Sequence, residues 1–249
     1  MLLLKKIIIT FLVALGYLYG AFGLSKSEAA EPIRVALVHD QATAEISCDS
    51  DFEVQSGSNK SILPKGKYFL HIVDGKLVMD EQHAFGSTIS VHALAGKALP
   101  RLNQRSYKGY LRALADNGKI LVVNYVDLEQ FLASVLPTKT MVVWPDEVIK
   151  AQAVAARSYA LYHKQINRNK QYDLTANDKE LPYEGTGPRI EKAGVAKLIT
   201  ATRGQYLADA QGLPILLERR PYRSCQQCLG KSSLLPAVRG RLRQRQPRL

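Results

Sequence analysis

Cysteine is scarce in this chain. Its 249 residues hold three, Cys48, Cys225 and Cys228, too few for a disulfide scaffold. No GxGxxG or GxxxxGK[ST] segment occurs, which removes the usual phosphate-cradling loops and most nucleotide-dependent chemistry. Low hydrophobicity is absent too: 46% hydrophobic and 22% charged residues are globular material, so wholesale disorder is excluded. Acid is missing from the C-terminal stretch, where residues 221–249 carry six Arg and Lys231 and no Asp or Glu. Most of the net charge of +12 therefore sits there, and +5 remains for residues 1–220. The total charge thus implies no specific nucleic-acid partner.

What is present begins with an address. Lys5 and Lys6 precede Ile7–Leu24, 18 residues without a charge, followed by small residues that offer signal-peptidase sites. Residues 1–30 read as a signal peptide or as an N-terminal membrane anchor with the body outside. Either way the working compartment is extracytoplasmic: periplasm, cell envelope or secreted.

The body reads as α+β: an N-terminal antiparallel β module, then a helical segment with a buried Ala-rich helix and a β-hairpin. Strands are expected at 33–38, 68–73, 76–79, 87–94, 107–114 and 119–126. Asp74-Gly75 marks a tight hairpin and Asp116-Asn117-Gly118 a longer one. At Asp127 the period changes. Leu128, Phe131, Leu132, Val135 and Leu136 share one helical face, Asp127 and Gln130 suit a capping box, and Pro137 is expected to stop the run. A second helix is expected from Pro145 at its first position through Lys164. A third is expected over about 189–202, ending at Gly204, and a hairpin across Asp209–Gly212.

The second helix contains AQAVAARSYAL, residues 151–161, small or apolar nearly all round. A guanidinium in such company needs partners, because an unpaired buried charge costs several kcal/mol, roughly. Two readings of Arg157 stay open. With Lys150 two turns earlier and Gln152, it forms a ridge for a sugar chain or carboxylate; alternatively it pairs internally with Glu129, Asp173 or Glu184.

YKGYLRAL (107–114), ILVVNYVDLEQFLASVLP (120–137), WPDEVIKAQAVAARSYAL (144–161) and TRGQYL (202–207) resemble the SpoIID/LytB domain family. That family includes a peptidoglycan lytic transglycosylase of spore engulfment and an enhancer of amidase autolysins. The resemblance implies a division into an address (1–30), a β-rich N-terminal part (31–106), a SpoIID/LytB-like core (107–217) and a basic tail (218–249). It implies that Lys150, Gln152, Arg157, Tyr172, Asp173 and Tyr183, with Gly185 after it, bind substrate. It further implies that peptidoglycan glycan strands are the partner, with a cell-wall amidase as a further one, and the membrane if the N-terminal segment is retained.

One departure bears on catalysis. Lytic cleavage needs a carboxylic acid to protonate the glycosidic oxygen, and the family's Glu precedes a Met ahead of the Trp-Pro. Here Lys139 or Thr140 occupies that slot, before Met141. Neither is an acid for this task, so the expectation is a glycan-binding or amidase-enhancing protein, or a degenerate lytic transglycosylase. The alternatives are an active lytic transglycosylase with a displaced carboxylate (Glu129, Asp146 or Glu147) and an anionic-polymer binder working through the tail. The loop 172–185 lacks the His and Cys that some family members use for a metal, so neither metal nor cofactor is expected. Past about residue 217 the composition switches abruptly. A C-terminally truncated or frame-shifted reading, a disordered tail, and an anion-binding tail around Arg239–Arg245 all remain as expectations.

Overall fold

The computed structural model describes residues 32–139, 144–187, 193–216 and the backbone of 241–244. The expected address at 1–30, Thr140, Met141, Cys225 and Cys228 lie outside the described residues. So does all of the tail except that last short stretch.

Alternating apolar residues build two largely antiparallel layers. The first sheet contains β1 (Ile33–Gln41), β3 (Phe52–Ser56), β4 (Asn59–Leu63), β8 (Thr88–Ala93), β11 (Tyr110–Asp116), β12 (Lys119–Val126) and β13 (Leu174–Thr175). Its order is β13-β1-β12-β11-β8-β3-β4. The second runs β10-β9-β2-β5-β6-β7, with β2 at Thr43–Cys48, β5 at Gly66–Val73, β6 at Lys76–Met79, β7 at His83–Ala84, β9 at Arg101–Leu102 and β10 at Arg105–Ser106. Val35, Ile46, Phe52, Val54, Leu70, Ile89, Val91, Leu111 and Val122 point into one shared core, each fully buried. Each such side chain contributes about 1.5–3 kcal/mol relative to exposure.

The turns follow their residues. Asp74 and Gly75 both have positive φ and close Val73 onto Lys76, the geometry that two-residue hairpin loops favour. The second hairpin is tighter than its sequence suggests. Asp116 pairs directly with Lys119, so only Asn117 (φ 49°) and Gly118 (φ 76°) form the loop.

Three helices follow: α1 (Leu128–Lys139), α2 (Asp146–Ile166) and α3 (Ala193–Ala201). Asp127 caps α1, its Oδ1 accepting from the amides of Glu129 (3.0 Å) and Gln130 (3.1 Å). Phe131, Leu132, Val135 and Leu136 are buried as the period requires. Pro137 does not end the helix; it lies inside α1, two residues before its end. At α2, Pro145 is the N-cap (φ −58°, ψ 146°) and the helix begins one residue later than expected. Ala153, Ala156 and Ala160 are buried, which lets α2 lie close against α1, α3 and β14 (Gln205–Ala208). β14 turns back on itself: Asp209 N donates to Leu213 O and Ile215 N to Leu207 O. Its residues also pair with β15 (Arg241–Gln244), a strand within the basic tail.

Candidate functional site

The expected substrate residues fall into two groups. Arg157, Asp173 and Tyr183 are inside the protein, whereas Lys150, Gln152 and Tyr172 are partly exposed.

Arg157 is 1% exposed. Its Nε and Nη2 each donate to one oxygen of Glu129, both at 2.8 Å, and Nη1 donates to Gln205 O at 2.8 Å. Longer bonds reach Ala153 O and Ile199 O, both 3.4 Å. Of the two readings held open, the internal pair with Glu129 is the one formed. The guanidinium ties the start of α1, the end of α3 and β14 to α2, and it presents nothing outward. Glu129 consequently has both oxygens engaged in a planar fork.

Asp173 has a side chain with no exposure. Its Oδ1 accepts from Arg34 Nε (3.0 Å) and Nη2 (2.6 Å), and its Oδ2 from the Arg34 amide (2.9 Å). This anchors the chain after α2 to the edge of β1, where β13 pairs in parallel. Tyr183 donates to Asn124 Oδ1 at 2.8 Å, and Asn124 Nδ2 donates to the carbonyls of Lys108 (2.9 Å) and Tyr110 (3.0 Å). The Tyr183 ring packs on Phe131 and Tyr107. Gly185, at φ 87°, is required by packing: a Cβ there would collide with Ser106 O and crowd the Tyr107 ring. The Tyr-x-Gly motif is thus a clasp that seats its loop on β10.

Lys150 lies at the surface of α2 and donates to Glu147 Oε1 at 2.7 Å. That hydrogen bond holds its ammonium above the ordinary lysine range. Tyr172 rests on Ala36, Leu121 and Val123 and meets His39 edge-on. Lys139 is the last residue of α1. Thr140, the other occupant of the slot for the family's acid, lies beyond the described residues.

What the loop builds is a polar cleft of about 430 Å³. Arg105 and Tyr107 form one wall; Asn177, Asp178, Lys179 and Glu184 form the other. Asp178 organises this wall. Its Oδ1 accepts from the amides of Glu180 and Leu181, and its Oδ2 from the Tyr159 hydroxyl at 2.8 Å. Burial and then the bond to Asp178 push the Tyr159 hydroxyl well above the usual phenol range, so it stays a donor. His163 packs against the Tyr159 ring, and burial lowers its pKa from the ordinary value. Local sequence patterns do not mark Arg105 or Asn177 as cleft residues. Asp178 carried a signal, since an Asp three residues before Leu181 in a loop is a turn former.

Residues 116–208 match the family model described as SpoIID, stage II sporulation protein. The chain carries a SpoIID segment. It includes α1, α2, β13, α3, β14 and the cleft's loop wall. An uncharacterized protein of Brachyspira hyodysenteriae is 41% identical over 85 residues, which are 34% of this chain and 23% of that protein. An uncharacterized protein of Chlamydia muridarum is 28% identical over 195 residues, 76% of this chain and 68% of that one. The chain thus spans less than a quarter of the Brachyspira relative. No solved structure matches. Outside the SpoIID segment, Arg105 and Tyr107 supply the facing wall of the cleft from the β module.

Proposed function

We propose that this protein binds peptidoglycan glycan strands outside the cytoplasm, as a non-catalytic or amidase-enhancing member of the SpoIID/LytB type. The observation that carries the reading is the polar cleft on the SpoIID segment. Its lining combines a guanidinium, an ammonium, an amide, two carboxylates and two tyrosines, the mixture that hydroxyl- and N-acetyl-rich chains require. Its walls are held before any ligand arrives, by Asp173 on Arg34 and by Asp178 on Tyr159. Such preorganisation lowers the ordering cost of binding. The engagement of both Glu129 oxygens argues against Glu129 as a displaced acid. A strand bound here would be presented to an amidase as the partner that cuts. The N-terminal segment, if retained, would hold the protein at the membrane beside its wall substrate.

The test is co-sedimentation with purified sacculi, followed by mass spectrometry of the released material. Binding without anhydro-muropeptides is expected. Arg105→Ala with Asn177→Ala should weaken binding about tenfold, from two lost hydrogen bonds. Anhydro-sugar products from the unaltered chain would overturn the non-catalytic assignment, and undiminished binding by the double variant would move the strand away from the cleft.

A further inference from the structure

The polar cleft holds two charges that the protein itself leaves unused. Of its four charged side chains, Asp178 is taken up by Tyr159 and two backbone amides, and Lys179 has a partner of its own. Arg105 and Glu184 remain, one of each sign. Both are exposed, and neither has an ion pair or a side-chain hydrogen bond among the described residues. An exposed charge without a partner is ordinary by itself, because water satisfies it. What sets these two apart is the hydroxyl they share. Tyr107 is 4% exposed, its ring packed on Tyr183 and against Gly185. Buried phenols usually give their hydroxyl to a protein partner, yet this one has none among the described residues. It is not sealed from solvent either, and the cleft that Tyr107 lines is its opening. Burial raises its pKa, Arg105 draws it down and Glu184 pushes it up, so both charges bear on the same oxygen.

The pairing of signs decides what kind of ligand fits. A simple anion such as phosphate gains from Arg105 and is repelled by Glu184, and a simple ammonium has the opposite balance. A neutral sugar uses neither charge. A zwitterionic amino-acid centre, with ammonium and carboxylate on one carbon, satisfies both charges and gives the phenol an acceptor. Leu37, Ala176 and Pro182 line the same cleft and offer apolar surface to the carbons of such a ligand.

We infer, building on the reading of this cleft as the wall-binding site, that Arg105 and Glu184 make it a receptor for a zwitterionic amino-acid centre on a peptide branch of the wall polymer. Arg105 receives the carboxylate, Glu184 the ammonium, and the Tyr107 hydroxyl donates to the carboxylate. The strand is then held by its peptide branch and not by its sugar backbone alone.

The experiment is an NMR titration of the full chain with three probes related by deleting one kind of group. Diaminopimelate has ammonium and carboxylate at each end, pimelate only the carboxylates, and cadaverine only the ammoniums. Diaminopimelate is expected to bind about tenfold or more tighter than either, the worth of one charge-assisted hydrogen bond. Glu184→Gln should erase its preference over pimelate, and Arg105→Gln its preference over cadaverine. A merely structural role for either residue would not produce that crossed pattern. Equal affinity for the three probes, or a preference that both variants retain, would overturn the inference. Co-sedimentation with sacculi separates it from the reading beneath it. Sacculus binding without a preference for diaminopimelate removes the receptor and leaves the wall reading standing. A preference without sacculus binding keeps the receptor and removes the wall polymer as its source. Where both hold, excess diaminopimelate should release the chain from sacculi and pimelate should not; no release would overturn the peptide branch as the group held.

Discussion

The β module and the helical half that follows it are held together by different physics. Across β1–β12 only Ser47 and Asn124 are buried polar residues, against a long roll of buried Val, Ile, Leu and Phe. After Asp127 the buried polar residues are Ser134, Arg157, Ser158, Asp173, Thr186 and Thr202. Several of them bond to backbone carbonyls or amides of other elements: Ser158 receives the Leu207 amide at 2.8 Å, and Arg157 reaches Gln205 and Ile199. Two facing sheets satisfy their own backbone through strand ladders, so their shared interior can be apolar. Three helices and a short hairpin leave helix ends and strand edges unpaired, and buried polar side chains fill those vacancies. The β module is therefore a matter of volume and pattern, and the helical half a matter of specific partners.

That contrast can be broken most sharply at Arg157. Arg157→Met leaves Glu129 without its cation and should cost about 3–5 kcal/mol by urea unfolding. Combining it with Glu129→Leu should recover part of the loss, since both charges are then gone. If the single variant unfolded at the wild-type midpoint, the helical half would be held by packing after all.

The seam between the two regions gives a smaller effect. Tyr183→Phe keeps the ring between Phe131 and Tyr107 but leaves buried Asn124 short of a donor. It should cost about 1–3 kcal/mol, and replacing Asn124 as well should cost little more. Smallest of all is Lys150→Ala. Its partner Glu147 is at the surface, and removing an exposed i,i+3 pair should leave the midpoint unchanged. A loss of sacculus binding in the same variant would extend the ligand-contacting surface from the cleft onto α2.

Much of this architecture was legible in the chain because its cues are local. Asp74-Gly75 and Asn117-Gly118 form their turns through backbone preferences of two residues, and the α1 face repeats within a dozen. β2, β3 and β4 were missed for the converse reason. The expected strands left 39–67 blank, and Phe52, Val54 and Ile46 become recognisable as core residues only when β8 and β5 lie beside them. Pro137 is a local stop signal, yet α1 continues two residues past it to Lys139.

By itself, then, the sequence determined the α+β class, the hairpin turns, the apolar face of α1 and the Ala-rich character of α2, all set by spacing along the chain. It also established that Arg157 must have a partner, because a guanidinium among alanines cannot stay unpaired. Only the tertiary structure decided that the partner is Glu129, 28 residues away, and that Tyr183 and Asp173 are fasteners. It alone joined Arg105 to Asp178 across a cleft. Those outcomes depend on which distant segments meet, and charges and hydroxyls are satisfied in three dimensions, by neighbours that no local pattern names.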